Sequence, residues 1–314
     1  AASGFFSGKR RYLLLVLLAL AVLGLNWLIR RSLAAPRVPE TGEPEGLPWQ
    51  AVRIATLRGR SLFGWFIPAG ERAPALAIVH GWGGNAELML PLAAPLHRAG
   101  YALLFFDARC HGRSDGDSFA SLPRFAEDLG AAVDWLRGRP EVAPERVGVI
   151  GHSVGAGAAL LLASRRHDLA AVISLAAFAH PAAMMRRWLA AKGVPYWPVG
   201  AYILWYVQRV IGHRFDDIAP CYTIARVTCP VLLVHGLGSS IQDWEYQLPH
   251  LQQQRRVVAV DLRGHGQSNQ LQQVVKGHYS FRAVTEDILR LLDHLRIPDR
   301  KSTRLNSSHD QRSR

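Results

Sequence analysis

The sequence predicts an α/β fold: a mostly parallel β-sheet with helices on both faces, a cap insertion, and an N-terminal transmembrane helix. Three observations predict it. Short apolar runs alternate with helical stretches from residue 75 to residue 175, the pattern of a parallel sheet covered on both sides. One of these runs, residues 147–150, leads through Gly151-His152-Ser153-Val154-Gly155 into a helical Ala/Leu stretch. Residues 12–29 form an almost unbroken apolar run of eighteen, with Asn26 its one strongly polar member.

Composition narrows the function classes. The chain has 314 residues, 49% of them hydrophobic, which suits one large α/β domain or two small ones. The formal charge is +13, of which the last sixteen residues supply +3. The rest is spread thinly, with no Lys/Arg stripe interleaved with aromatics, so no nucleic-acid partner is expected. Cys110, Cys221 and Cys229 lack metal-ligand spacing, and an odd number argues against a disulfide framework. Neither a metal nor an organic cofactor is expected.

At the start, residues 1–11 form a basic tail and 12–29 a membrane anchor. As a helix the run spans about 27 Å, close to the thickness of a bilayer core. Basic residues flank both ends, so the charge bias leaves orientation open. The expected location is a single-pass anchor in a bacterial inner membrane. A cleaved signal peptide with Ser32-Leu33-Ala34 as its site is the rival; its apolar region would be too long and its site would lie behind two arginines. Residues 30–50, rich in Pro, Gly and Glu, read as an extended linker.

A core follows over 51–177. Residues 52–56 and 61–67 read as a hairpin turning at Leu57-Arg58-Gly59-Arg60. A buried strand over 75–79 runs into His80-Gly81-Trp82-Gly83-Gly84-Asn85. Next come a helix over 86–99, a strand over 102–106 that ends at Asp107, a helix over 123–137, the strand before Ser153, and a strand over 171–175. A serine on a sharp strand-to-helix turn needs glycine neighbours, and its hydroxyl then stands clear of the backbone near the positive end of a helix. That is the geometry of an activated nucleophile.

Three stretches taken together, HGWGGN from His80, DARCHGRSDG from Asp107 and GHSVGAG from Gly151, resemble the α/β-hydrolase superfamily over residues 52–236. The resemblance makes Ser153 the nucleophile and the backbone amides of Trp82 and Val154 the oxyanion hole. It implies ester, thioester or amide cleavage through an acyl-enzyme. It makes His80 and His111 structural, Asp107 a loop-holding residue, and His152 the variable position of the elbow. Residues 178–225, rich in Trp and Tyr, would be the cap over the site, suited to an apolar acyl chain and, on an anchored protein, to lipid.

The remainder, 226–298, departs from the family pattern. The apolar run from Val231 reaches His235-Gly236, but Ser239 stands where the family has its catalytic acid. From there the chain resembles the early segment of a second α/β-hydrolase. His80 to Asp107 is 27 residues and His235 to Asp261 is 26. DARCHGRS matches Asp261-Leu262-Arg263-Gly264-His265-Gly266-Gln267-Ser268, and no second G-x-S-x-G follows. Residues 299–309 resemble a translated sequencing adapter, so 299–314 is expected to be an unstructured, artefactual tail and 231–314 a chimeric join.

The family order is nucleophile, acid, histidine. Residues 257–260 would add as a last parallel strand, placing His265 at its C-terminal end as a base; His278 and His294 are weaker candidates. For the acid, Asp243 lies four residues past the expected place, where capping a helix is the plainer role; Asp261 is the other candidate. The expected function is a membrane-anchored serine hydrolase, esterase- or lysophospholipase-like, acting on a small-molecule or lipid ester. The alternatives are a catalytically incomplete chimeric chain serving as a binding module, and a serine peptidase or thioesterase.

Overall fold

The computed structural model describes residues 2–236, 240–245, 248–249, 259–268 and 281–294. His278 and residues 299–314 lie outside the described residues. One eight-stranded sheet runs in the order β1-β2-β4-β3-β5-β6-β7-β8. β1 (Gln50–Thr56) and β2 (Arg60–Ile67) form the expected antiparallel hairpin, and β2 adds antiparallel to β4 (Ala102–Phe106). From there the sheet is parallel: β4, β3 (Ala73–Val79), β5 (Val142–His152), β6 (Val172–Leu175), β7 (Val231–Val234) and β8 (Ala259–Val260). The parallel strands are read as near-continuous apolar runs because both faces are covered.

α1 is Ala2–Ser32, and its segment Arg10–Ser32 has mean hydropathy 2.5, long and apolar enough by length and composition to cross a membrane. The helix expected over 86–99 is divided. Pro91 lies inside a tight 3₁₀ stretch, Ala86–Leu92, and a short α2 (Ala93–Arg98) follows. Proline lacks the amide that would continue an α-helical ladder. α3 (Leu122–Arg137) is capped by Ser121, whose side chain accepts from the Arg124 amide, and it packs with α4 (Val154–Ala163) on one face of the sheet. The cap comprises α5 (Pro181–Ala191), α6 (Ala201–Ile211), α7 (Phe215–Ile218) and α8 (Pro220–Thr223). α9 (Phe281–His294) ends the described chain.

Two contacts fasten α1 to the cap. The Tyr202 hydroxyl donates to Asn26 Oδ1 at 2.8 Å, and Arg30 Nε donates to the Tyr206 hydroxyl at 2.9 Å. Ile29, 4% exposed, is part of the main core. The segment after α1 is extended, but it is not loose. The Ala120 amide donates to Leu33 O, Asn85 Nδ2 donates to Val38 O, and the Thr41 amide and hydroxyl donate to Glu87. Arg113 Nε pairs with Glu40 Oε2 at 2.9 Å. Residues 33–42 therefore strap the end of α1 to the loop after β3.

Candidate active site

β5 ends where α4 begins, and the turn between them carries Ser153. Its backbone lies at φ 54°, ψ −114°, a region costly for a residue with a Cβ. Its amide donates to Leu175 O at 2.8 Å, which pins the turn to β6. The flanking glycines are required by close approach. A Cβ on Gly155 would meet Val79 Cγ1 and Val79 O at 2.9 Å, with His80 O nearer still, and one on Gly151 would strike the Gly155 carbonyl. The sequence thus forces the serine outward by leaving no room for anything else around it.

Among the described residues two amides here have no backbone acceptor, those of Val154 at the first turn of α4 and of Trp82 in the loop after β3, and both residues line the same cavity as Ser153. The Trp82 loop is held from behind by two histidines. His80 is fully buried; its Nδ1 lies 2.6 Å from Gly81 O and its Nε2 accepts from the Ala108 amide. His111 places Nδ1 2.9 Å from Arg109 O, and its Nε2 accepts from the Gly83 amide. Each ring therefore donates through Nδ1 and accepts through Nε2, the neutral form. Burial, then the neighbouring His111, pushes the His80 pKa down to about 3. Neither ring has a lone pair left for Ser153, so the structural roles expected of both hold.

Asp107 secures the other side of the loop. Its Oδ1 accepts from the Ala86 amide and its Oδ2 from the Arg113 amide, both at 2.8 Å. Burial, then the adjoining Glu40 carboxyl, pushes its pKa up to about 8, and among the described residues the buried Glu40 Oε1 has no hydrogen-bond partner. Arg109 is buried among Asp128, Glu127 and Asp117.

In front of Ser153 lies a cavity of about 370 Å³. Trp82 and Val154 flank the serine; Phe178, Met184, Met185 and Trp188 of the cap form an apolar roof. Ser32 and Leu33, the end of α1 and the start of the strap, form a side wall. That wall was not foreseen from the sequence. The signal for it was Asn26, a single polar residue in an apolar run, which seats α1 on the cap. Among the described residues no group of His, Cys, Asp or Glu is arranged to hold a metal ion.

Among the described residues, His265, Asp261 and His294 do not line the cavity at Ser153. β8 pairs parallel to β7 as the outermost strand, as expected. Yet His265 is turned into its own loop, with Nδ1 3.0 Å from Arg263 O, and it is not among the residues lining the cavity. Asp261 accepts from the Ile241 and Gln267 amides at 2.7 and 2.9 Å, a loop-holding role. Asp243 lies in the tight turn Ile241–Trp244, and His294 is exposed at the end of α9. Among the described residues Ser153 Oγ makes no hydrogen bond.

What these residues do instead is rebuild the β3–β4 loop network a second time. His235 Nδ1 lies 2.8 Å from Gly236 O and its Nε2 accepts from the Leu262 amide, as His80 does with Gly81 and Ala108. Ser268 Oγ donates to Asp261 O and Ser114 Oγ to Asp107 O, each at 2.6 Å. The rings of His80 and His111 are 4.9 Å apart at 53°; those of His235 and His265 are 5.2 Å apart at 54°. Arg263 pairs with Asp287 as Arg109 pairs with Asp128. Geometry thus repeats what the residue spacing announced.

Comparison with known proteins agrees with this division. Residues 70–212 match the family described as serine aminopeptidase, S33, and residues 230–300 separately match the family described as alpha/beta hydrolase fold. The uncharacterized protein Rv2307c of Mycobacterium tuberculosis is 32% identical over 193 residues, 60% of this chain and 62% of its own length. A polyketide transferase of Stachybotrys chlorohalonatus, ATR5, is 35% identical over 128 residues, 40% of this chain and 43% of its own. The chain thus spans about three fifths or less of the length of these curated relatives. Among solved structures, an esterase of Pyrococcus furiosus superposes with TM-score 0.55 at 23% identity, covering 69% of this chain and 82% of that one. The hydrolase GrgF of a Penicillium species gives TM-score 0.50 at 23% identity, covering 65% and 86%. Sheet order, elbow and sequence matches converge: the chain belongs to the α/β-hydrolase superfamily.

Proposed function

We propose that the chain is a serine hydrolase of apolar carboxylic esters, in which Ser153 attacks the acyl carbon and carries the acyl group. The observation that supports this best is the elbow itself: a serine held at φ 54° on an apolar cavity that Trp82 and Val154 also line. The amides of Trp82 and Val154 would receive the oxyanion as the carbonyl becomes tetrahedral, where fixed donors contribute most. Phe178, Met184, Met185 and Leu33 would surround the acyl chain. The apolar α1, read as a membrane tether, would place the site beside lipid-like esters. Among the described residues no histidine nitrogen is hydrogen-bonded to Ser153 Oγ.

A second reading has its own observation. The segment that should bring acid and base instead repeats a loop network whose histidines are already engaged, which favours a catalytically incomplete chain. A fluorophosphonate probe and a series of p-nitrophenyl esters separate the two. Labelling and turnover that both vanish in Ser153→Ala support the hydrolase. Absence of labelling in the folded chain rejects it, and labelling without turnover places the chain in the second reading.

A further inference from the structure

The two long cap helices have two faces, and only one serves the cavity at Ser153. Pro181, Met185, Val207 and Ile211 point inward to it. Beside it α5 and α6 border a second, open hollow of about 760 Å³, with Phe215 lining both. Its lining carries Arg186, Arg209 and Arg214 with His180 and His213, against the single carboxylate of Asp216. Asp216 pairs with His180 at 3.0 Å and lies 3.7 Å from Arg214, while the other two arginines lie against aromatic rings. Arg186 donates to the Tyr196 hydroxyl at 3.0 Å and lies 4.5 Å from the centre of that ring; Arg209 lies 5.3 Å from the centre of the Trp205 ring. Of this lining Tyr196 is 50% and Trp205 49% exposed, and Trp197, next in the chain to Tyr196, is 78% exposed.

The position of this face relative to α1 gives it meaning. α6 meets α1 near the end of the apolar span, through Asn26 and Arg30, while residues 10–24 are exposed. With Arg10–Ser32 in a bilayer, α6 sits at the level of the headgroups. Tryptophan and tyrosine concentrate at that level, and basic side chains there attract anionic lipid.

We infer that the outer face of the cap, centred on Arg186, Arg209 and Arg214, is a docking surface for anionic phospholipid headgroups of the bilayer that α1 enters. The inference rests on reading α1 as a membrane tether. Docking would hold the cap down while its inner face roofs the acyl cavity, so the opening to Ser153 would lie at the lipid surface. The headgroup phosphate would take the guanidinium donors, and the exposed indoles would take the glycerol and upper acyl region.

The test uses the full chain, with a benzophenone amino acid in place of Trp197, in nanodiscs of phosphatidylcholine with and without phosphatidylglycerol. Co-elution with the discs reads the tether, and lipid adducts found by mass spectrometry read the docking. Expected are co-elution with both disc types and adducts that rise with phosphatidylglycerol. Replacing all three arginines with glutamine should lower the adducts by about fivefold per residue without changing co-elution. Adducts that ignore lipid charge or the arginines overturn the docking surface and leave the tether standing. Failure to co-elute overturns both. Loss of adducts on adding inorganic phosphate at constant ionic strength would mean a site for free phosphate and would also overturn the lipid assignment.

Discussion

The two copies of the loop network differ in burial, and that difference sets a measurable asymmetry. Asp128 accepts from the Arg109 amide at 2.8 Å, from Arg109 Nε at 2.7 Å and from the Thr56 hydroxyl at 2.9 Å. The side chains of Arg109 and Asp128 are 0% and 1% exposed. Asp128→Ala would leave three donors, one of them charged, in the interior, at a cost of about 3–5 kcal/mol. The counterpart pair, Arg263 and Asp287, is 25% and 41% exposed. Asp287→Ala lets the guanidinium turn to water and costs about 0–1 kcal/mol. For a domain of this size about 1 kcal/mol shifts Tm by roughly 2–4 °C, so the first variant should melt roughly 6–20 °C lower and the second within about 4 °C of the parent. Tryptophan-fluorescence melting of the full chain in one detergent reads both. A Tm loss in Asp287→Ala equal to or larger than that in Asp128→Ala would refute the assignment of the buried copy as the structural keystone.

Other outcomes follow from the site. Ser153→Gly should be more stable than Ser153→Ala by about 1 kcal/mol, the relief of φ strain less the backbone entropy of glycine; equal melting temperatures would mean that the elbow stores no strain. Between about pH 4 and 8 the folded chain keeps a proton on Asp107 that the unfolded chain has released, because burial and Glu40 raise its pKa from 3.8 to about 8. Stability should therefore fall with rising pH across that window, by up to about 1.4 kcal/mol per unit, and level off above it; thermal melts of Asp107→Asn should lack this decline. Leu33→Ala should lower kcat/KM for an octanoyl ester about tenfold relative to an acetyl ester, since it removes apolar wall from the acyl cavity. An unchanged ratio would show that the acyl chain does not pass α1.

Most of the scaffold could be read in advance because burial on both faces writes parallel strands as apolar runs, as at residues 75–79, 102–106 and 147–150. The elbow was equally legible, since its glycines are demanded by backbone approach rather than by partner side chains. The strap was not. Its Pro, Gly and Glu residues carry the composition of a loose linker, and what fixes it are bonds to Asn85, Glu87, Arg113 and Ala120, 46 to 87 positions away in sequence. Repetition in the second half was visible by counting from His235 to Asp261, because the loop network depends on residue types at fixed spacing. Spacing alone did not say that a rebuilt network engages the very histidine that the triad would need. His265 reached the expected end of the sheet, yet its ring is turned into its own loop.

The Ala120 amide grips Leu33 O one residue after α1 ends. A tether joined this way has no slack. With α1 embedded, Ser153 cannot sweep the volume around its anchor point as an enzyme on a flexible leash would. It is confined to one height above the lipid, and its encounters become a search in two dimensions. Dilution into the aqueous phase would then matter little to its rate, whereas the surface density of substrate in the same leaflet would set it.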